Sequence, residues 1–221
     1  MSHIKRLRSA IAIVALATLA PAVAHAQTTA INLPSGTVGN QSWTGALGID
    51  FDVTQAINIT SLGAFDSGGD GFATAKSVRL YDRSTGLAIA SVLLPGGTGT
   101  PLDGAYRFMS IPSLTLSVGF LGSIVADGFY QADLNFNTSG AAFPGTVNTS
   151  GAFTFVGGSR YDNAAGIYPT IADAGPSVRY GAGSFQYNVA TTVPEPSTWA
   201  LLGAGLLGIG GFARRKRVAT V

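Results

Sequence analysis

Residues 43–53 constrain the fold more than any other stretch of the chain, because apolar and polar side chains alternate along them. The apolar positions are Trp43, Leu47, Ile49, Phe51 and Val53, and the charged ones are Asp50 and Asp52. A period of two residues is that of a β-strand with one buried and one exposed face. Such a strand needs a sheet whose apolar face is covered by a second layer. The stretch therefore predicts a layered β-structure.

Short apolar segments separated by turn residues continue this pattern along the chain. Residues 77–81 and 87–94 predict a hairpin, because Asp82 and Gly86 between them are typical turn residues. Further strands are predicted at residues 56–62, 106–111, 114–118, 129–136, 152–156 and 184–189. No long segment between these strands has the apolar period of a helix. We therefore predict an all-β domain, an antiparallel β-sandwich similar to a jelly roll.

The 30 glycines and the many small polar residues leave a second interpretation, a loosely ordered low-complexity segment. Large aromatic residues spread along the domain argue against it, because burying apolar surface stabilises a fold by about 25 cal/mol per Å². An ordered domain is the interpretation that we adopt.

The first 26 residues have the three parts of a secretory signal peptide. Lys5, Arg6 and Arg8 give a cationic start, residues 11–20 form a short apolar run, and residues 24–26 read Ala-His-Ala, as a signal peptidase requires. We therefore expect a helical signal peptide at residues 1–26, and an exported chain that begins at residue 27.

Near the other end, residues 198–213 contain no charged side chain. A helix of this length rises about 1.5 Å per residue and is shorter than the hydrocarbon core of about 30 Å, so it spans a bilayer only with help from flanking residues. The basic tail Arg214, Arg215, Lys216 and Arg217 holds its end in the cytoplasm by the positive-inside rule. We predict a single transmembrane helix at about residues 198–213, with a plain tail anchor as the alternative function.

A proline motif, Val193-Pro194-Glu195-Pro196, directly precedes this segment. Proline fixes φ and disfavours helix in the residue before it, so we expect the motif to be extended and accessible. The order of motif, apolar segment and basic tail resembles the PEP-CTERM sorting signal of Gram-negative bacteria. The resemblance implies that an exosortase, an integral-membrane cysteine peptidase, recognises and processes the chain at Pro194, Glu195 and Pro196.

The resemblance also implies a route and a destination. The chain would be anchored transiently in the inner membrane, and its domain would then reach the cell surface or the extracellular polysaccharide matrix of a biofilm. Residues 38–53 and 61–86 resemble a β-sandwich domain that is common in PEP-CTERM proteins and implies no known activity. We accordingly divide the chain into a signal peptide (1–26), an exported domain (27–192) and a sorting signal (193–221).

The composition of residues 27–192 excludes several classes of function. Histidine occurs only at His3 and His25, cysteine is absent, and Glu195 is the only glutamate. Ser-His-Asp and Cys-His catalysis, His/Cys zinc or copper sites and disulfides are therefore excluded from this domain. Its six Lys and Arg are outnumbered by ten Asp, which argues against nucleic-acid binding despite the formal net charge of +2 for the whole chain.

Two pairs of aspartates are candidates for cation binding. Asp66 and Asp70 lie in a glycine-rich loop and could bind calcium, although the loop departs from the EF-hand pattern. The alternative is a solvated loop in which the aspartates cap turns. Asp50 and Asp52 should share one strand face, where either a bound cation or solvation would relieve their repulsion.

Aromatic residues offer a last candidate site. Trp43, Tyr161 and Tyr168 could form a platform for sugars, although such rings more often belong to a core or anchor a loop. We expect a non-enzymatic structural or adhesive protein, whose partners are an exosortase, the inner membrane and exopolysaccharide. A membrane-anchored carbohydrate-binding module is the alternative, and an aspartate-based glycan hydrolase comes third.

Overall fold

The computed structural model describes residues 27–130 and 132–190. The expected signal peptide and the expected sorting signal lie outside these described residues. The described chain forms β-strands and one short 3₁₀ turn, Ser67–Gly69. The strands are β1 (Thr28–Thr29), β2 (Ile31–Asn32), β3 (Leu47–Val53), β4 (Ile57–Phe65), β5 (Lys76–Asp82), β6 (Leu87–Leu94), β7 (Leu102–Asp103), β8 (Tyr106–Leu116), β9 (Leu121–Asp127), β10 (Thr146–Val147), β11 (Phe153–Tyr161), β12 (Ile171–Ala172) and β13 (Gly183–Val189).

The strands form two larger sheets and one small pair. The five-stranded sheet has the order β1-β13-β4-β8-β7, and the six-stranded sheet has the order β12-β11-β3-β9-β5-β6. β10 pairs with β2 alone. All of these strand pairs are antiparallel. The prediction of an all-β fold with antiparallel pairing is confirmed, and the jelly-roll-like sandwich stays a prediction. Within the described ranges, no helix has the length and apolar character needed to cross a bilayer.

Both larger sheets contribute side chains to one apolar core. Phe51 of β3 and Phe153 of β11 each pack against Phe185 of β13, with ring centroids 5.1 and 5.4 Å apart. The alternation in β3 has the predicted consequence, because Leu47, Ile49, Phe51 and Val53 are all buried in this core. The apolar side chains of β3 therefore enter the core, and its charged side chains lie on the opposite face of the sheet.

The predicted hairpin is confirmed as β5 and β6. The Asp82 carboxylate accepts a hydrogen bond from the backbone N–H of Ser84 at 2.8 Å, and Gly86 has a φ of +71° that other residues rarely adopt. The turn residues therefore perform the role that the sequence indicated.

Two predicted segments, residues 106–111 and 114–118, form one strand. In β8, Ser110 pairs with Ser61 and Leu114 pairs with Ile59, so that the three residues around Pro112 lie opposite Thr60 alone. The proline is accommodated in this irregularity and does not end the strand.

The predicted strand at residues 129–136 is wrong. At the described positions, 129–130 and 132–136, only isolated bridges occur, between Phe129 and Trp43 and between Asn135 and Gln41. The strand lies earlier, at β9, between β3 and β5. Because residues 122–127 are buried on both faces, β9 lacks the alternation that revealed β3.

Candidate functional site

The outer face of the six-stranded sheet carries a connected group of charged residues. We call this surface the ion-pair face, and its members are Asp50, Asp52, Arg79, Arg83, Asp127 and Arg160. Successive side chains of a strand point to opposite faces, so Asp50 and Asp52 must point away from the core that Ile49 and Phe51 enter. The alternation of residues in β3 thus determines which side chains enter the core and which lie on the ion-pair face.

Asp50 is the centre of this face and is only 3% exposed. Its Oδ2 accepts a hydrogen bond from Arg160 Nε at 2.6 Å, and Arg83 Nη1 lies 3.6 Å from the same oxygen. Arg83 also donates through Nη2 to Asp52. The two neighbouring carboxylates are therefore compensated by two arginines of the chain. The sequence had suggested a bound cation or solvation for this pair, and neither alternative included the arginines.

The electrostatics of this cluster agree with its geometry. Burial lowers the pKa of Arg160, but the hydrogen bond and the charge of Asp50 raise it by more, so its pKa lies above the ordinary value. The second oxygen of Asp50 and Nε of Arg83 are buried without a hydrogen-bond partner among the described residues.

The loop after β11 covers part of the ion-pair face. The Tyr168 ring packs against Tyr81, with centroids 5.5 Å apart, and the Arg160 guanidinium lies 5.5 Å from the Tyr168 ring centroid. Asp127, paired with Arg79 at 2.7 Å, also accepts a hydrogen bond from the Gly166 N–H at 3.1 Å. Burial raises the pKa of Tyr168, and the charge of Asp50 adds to that rise, while the two arginines oppose it.

The structure separates the three aromatic residues that were predicted to bind sugars. Trp43 and Tyr161 are half-buried neighbours on the main core, with ring centroids 5.6 Å apart and an interplanar angle of 84°. Trp43 also donates through Nε1 to the Asp162 carbonyl at 3.0 Å. Tyr168 belongs to a separate small cluster with Tyr81. Because the first two rings are nearly perpendicular, the trio forms no single flat platform, and sugar binding stays a prediction.

Asp66 and Asp70, the candidate calcium ligands, lie in different environments. Asp70 is exposed, whereas Asp66 is buried and its Oδ2 accepts a hydrogen bond from Arg107 Nε at 2.6 Å. The Gly71 N–H lies 3.2 and 3.1 Å from the two Asp66 carboxylate oxygens. Burial raises the pKa of Asp66, and Arg107 and the Gly71 amide offset part of the rise. In residues 27–130 and 132–190, no group of three or more acidic or histidine side chains is arranged to hold a metal ion.

Arg107 does more than neutralise Asp66. Its guanidinium donates to three backbone carbonyls, those of Gly69 at 3.1 Å, Thr98 at 3.0 Å and Thr100 at 2.8 Å. Through these hydrogen bonds, the buried Arg107 side chain links two loops to β8. The cation that the glycine-rich loop holds in this structure is thus an arginine of the same chain, and calcium binding stays a prediction.

A second buried ion pair, Lys76–Asp133, was not anticipated. The Lys76 side chain is fully buried, and its Nζ donates to Asp133 Oδ2 at 2.7 Å and to the Gly128 carbonyl at 2.9 Å. The rings of Phe72 and Phe129 lie 5.5 and 5.7 Å from this ammonium, within the range of cation–π contacts. The available sequence signal was composition, since Lys76 is the only lysine between residues 27 and 192.

Two apolar depressions were also missed from the sequence. A groove of about 330 Å³ lies beside β11 and is lined by Phe143, Val147, Thr149, Phe153, Thr154, Phe155, Pro176, Ser177 and Val178. A cleft of about 310 Å³ between β6 and β8 is lined by Ile89, Ala90, Ser91, Ile111, Pro112, Ser113 and Leu114. Neither lining contains a charged side chain, so neither depression offers a group for acid–base catalysis.

Comparison with known families identifies the carboxy-terminal segment. Residues 192–217 match the PEP-CTERM protein-sorting motif, which confirms the resemblance seen in the sequence. The matched range includes the proline motif that begins at Val193 and the basic tail that ends at Arg217, both outside the described residues. A motif of this kind implies export, membrane-anchored sorting and recognition by an exosortase. No curated protein and no solved structure matches the chain.

Proposed function

We propose that this chain is an exported protein that an exosortase sorts through its carboxy-terminal motif and delivers to the cell surface or the extracellular matrix. The observation that carries the proposal is the PEP-CTERM sorting motif at residues 192–217. In this proposal, Val193, Pro194, Glu195 and Pro196 form the recognition site, residues 198–213 cross the inner membrane, and residues 214–217 stay in the cytoplasm. Residues 1–26 direct export and are removed.

At its destination, the domain of residues 27–192 has a structural or adhesive role and acts on no substrate. The distribution of charge supports this part of the proposal, because every Lys and Arg of residues 27–192 is in an ion pair with an aspartate. These cations are Lys76, Arg79, Arg83, Arg107, Arg160 and Arg179. Each of these ion pairs links two segments of the chain and restricts their movement. Such links suit a domain with a structural role.

The architecture that suits this role is a sandwich of the two larger sheets, similar to a jelly roll. Contacts across the core support it, since Phe185 of the five-stranded sheet packs on Phe51 and Phe153 of the six-stranded sheet. The domain contains no cysteine and forms no disulfide, so packing and ion pairs must supply its stability. Exopolysaccharide is the matrix component with which we expect the delivered domain to associate.

A carbohydrate-binding module is the second candidate function. It is favoured by the half-buried Trp43–Tyr161 pair, where each ring keeps part of its surface accessible. Full-length protein in detergent should then bind at least one member of a glycan panel saturably. Binding should be lost in Trp43→Ala or Tyr161→Ala and kept in Tyr168→Ala, whose ring lies in the separate cluster with Tyr81. Absence of saturable binding to every glycan would remove this candidate.

The sorting proposal is tested with two variants that each remove one carboxylate. Glu195→Ala alters the recognition site, and Asp70→Ala removes an exposed aspartate of the domain as the matched control. In cells that contain an exosortase, we expect the wild type and Asp70→Ala to leave the inner membrane, and Glu195→Ala to stay in it. Cell fractionation and immunoblotting measure the distribution. Release of Glu195→Ala at the wild-type level, or release from cells without the exosortase, would contradict the proposal.

A further inference from the structure

Among the four strands that end the two larger sheets in the described part of the chain, β6 has the longest unpaired outer edge. Strand β6 ends the six-stranded sheet and pairs only with β5. The other terminal strands of the two larger sheets, β1, β7 and β12, have only two residues each, whereas β6 has eight. Every second backbone N–H and C=O of β6 therefore points away from β5 without a strand to receive it.

The sequence of β6 lacks most of the features that protect edges. Leu87–Leu94 contains neither a charged residue nor a proline, and the nearest charged residues in sequence are Arg83 and Asp103. The neighbouring edge of β8, by contrast, contains Pro112 within its register shift. The irregularity of β6 is one extra residue, Ile89, and residues 90–94 pair regularly with β5. Lysine, proline and very short strands are the usual means of blocking edge-to-edge pairing.

Apolar side chains accompany this open edge. Leu87 and Leu93 are 66% and 65% exposed, and Ile89 is 39% exposed. The cleft of about 310 Å³ between β6 and β8 lies beside residues 89–91, at the middle of the strand. A strand laid along β6 would therefore satisfy backbone groups, cover exposed leucines and place an apolar side chain at the cleft.

We propose that this edge pairs antiparallel with β6 of a second copy of the chain, centred near Ser91. Because β6 carries no charge, it does not favour a partner strand of either charge. Two copies of β6 can also pair without placing like charges opposite one another. Antiparallel pairing about a two-fold axis offers each edge a partner of equal length and composition. The contact is isologous and closes at two copies, so it forms a dimer with a continuous sheet. This surface goes beyond the sorting proposal and does not depend on it.

The chain contains no cysteine, which makes site-specific cross-linking direct. Ser91→Cys places a single exposed thiol on the β6 edge, and Thr154→Cys places one at an exposed position of β11 as the matched control. The full-length variants are exported by cells and treated in the membrane with a short bis-maleimide. We expect a product of twice the chain mass for Ser91→Cys and none for Thr154→Cys. A Leu93→Cys variant tests the same edge at a second position.

Adding Leu93→Lys to Ser91→Cys should abolish the dimer, because it places a charge at the paired edge. Leu93 is largely exposed, so at a protein concentration where both variants are monomeric the melting temperature should not change, which separates loss of pairing from loss of folding. Monomer alone for both edge variants, equal dimer in Thr154→Cys, or cross-linking of β6 to a different protein would overturn the proposal. Processing at the sorting motif, followed in the same samples, should be the same in all variants, so failure of either proposal is recognised separately.

Discussion

The two ion pairs that each join a strand residue to a loop aspartate, Lys76–Asp133 and Arg107–Asp66, differ from the ion-pair face in their access to water. We call them the loop pairs, and their side chains are at most 7% exposed. On the ion-pair face, Arg83, Arg160 and Asp52 are 17%, 25% and 42% exposed. Water and salt screen the second group and not the first. We therefore infer that the loop pairs hold segments that no sheet fixes, whereas the ion-pair face adjusts strands that the backbone already fixes.

The largest effect is expected for Asp133→Ala. This change leaves the ammonium of Lys76 fully buried without its counter-charge, and it also removes the acceptor of the Ala73 and Thr74 amides. Breaking one partner of a buried pair costs about 3–5 kcal/mol of unfolding free energy. Urea denaturation of the full-length protein in detergent measures the loss. Lys76→Met in the same background should restore much of the stability, and a loss no larger than that of Asp70→Ala would contradict the interpretation.

Asp66→Ala should follow closely, with a loss of about 3 kcal/mol. Arg107 loses the carboxylate that compensates its charge and orients its guanidinium, so its hydrogen bonds to the loop carbonyls should weaken. The same denaturation experiment, combined with limited proteolysis, should show new cleavage in residues 66–71 and 96–100. The exposed neighbour Asp70 provides the control, since Asp70→Ala should leave both readouts unchanged. Protection of both loops in Asp66→Ala would show that the pair is not what fixes them.

Asp50→Asn should cost less, about 1–3 kcal/mol. Asp50 is buried, but Arg83 and Arg160 can turn toward solvent when its charge is removed, because both are partly exposed. The free energy of unfolding should therefore fall by less than in Asp133→Ala. Equal losses in the two variants would remove the distinction between the loop pairs and the ion-pair face.

Asp52→Asn should have the smallest effect, at most about 0.5 kcal/mol, because the carboxylate is 42% exposed and its pair with Arg83 is screened. The difference between wild type and Asp52→Asn should shrink further as salt is added, whereas that for Asp133→Ala should persist. Denaturation at low and high salt measures both. A salt-independent loss of more than about 1 kcal/mol in Asp52→Asn would contradict the screening argument.

The regions also differ in how far the sequence predicted them. β3 and the β5–β6 hairpin were predictable because strand alternation and turn chemistry depend on adjacent residues. β9 was missed because burial of both faces removes that alternation. The loop pairs were missed because their partners are 57 and 41 residues apart, and nothing local to Lys76 or Asp66 specifies a partner at that distance.

Among the proposed sites, the sorting motif was found from sequence because it is contiguous. Its recognition residues, Val193 to Pro196, and its basic tail lie within the one matched range, residues 192–217. The arginine partners of Asp50 and Asp52 required the sheet, since residues 31 and 110 positions away are brought beside them by strand pairing. Linear signals are therefore predictable here, whereas the compensation of charge depends on the fold.

Intact-mass spectrometry of the protein recovered outside the inner membrane tests the central claim most directly. The account predicts that, in cells with an exosortase, the chain begins at residue 27 and has lost the apolar segment and basic tail that follow Pro196. A mass that includes Arg214 to Arg217 in the released protein would contradict exosortase processing at this motif.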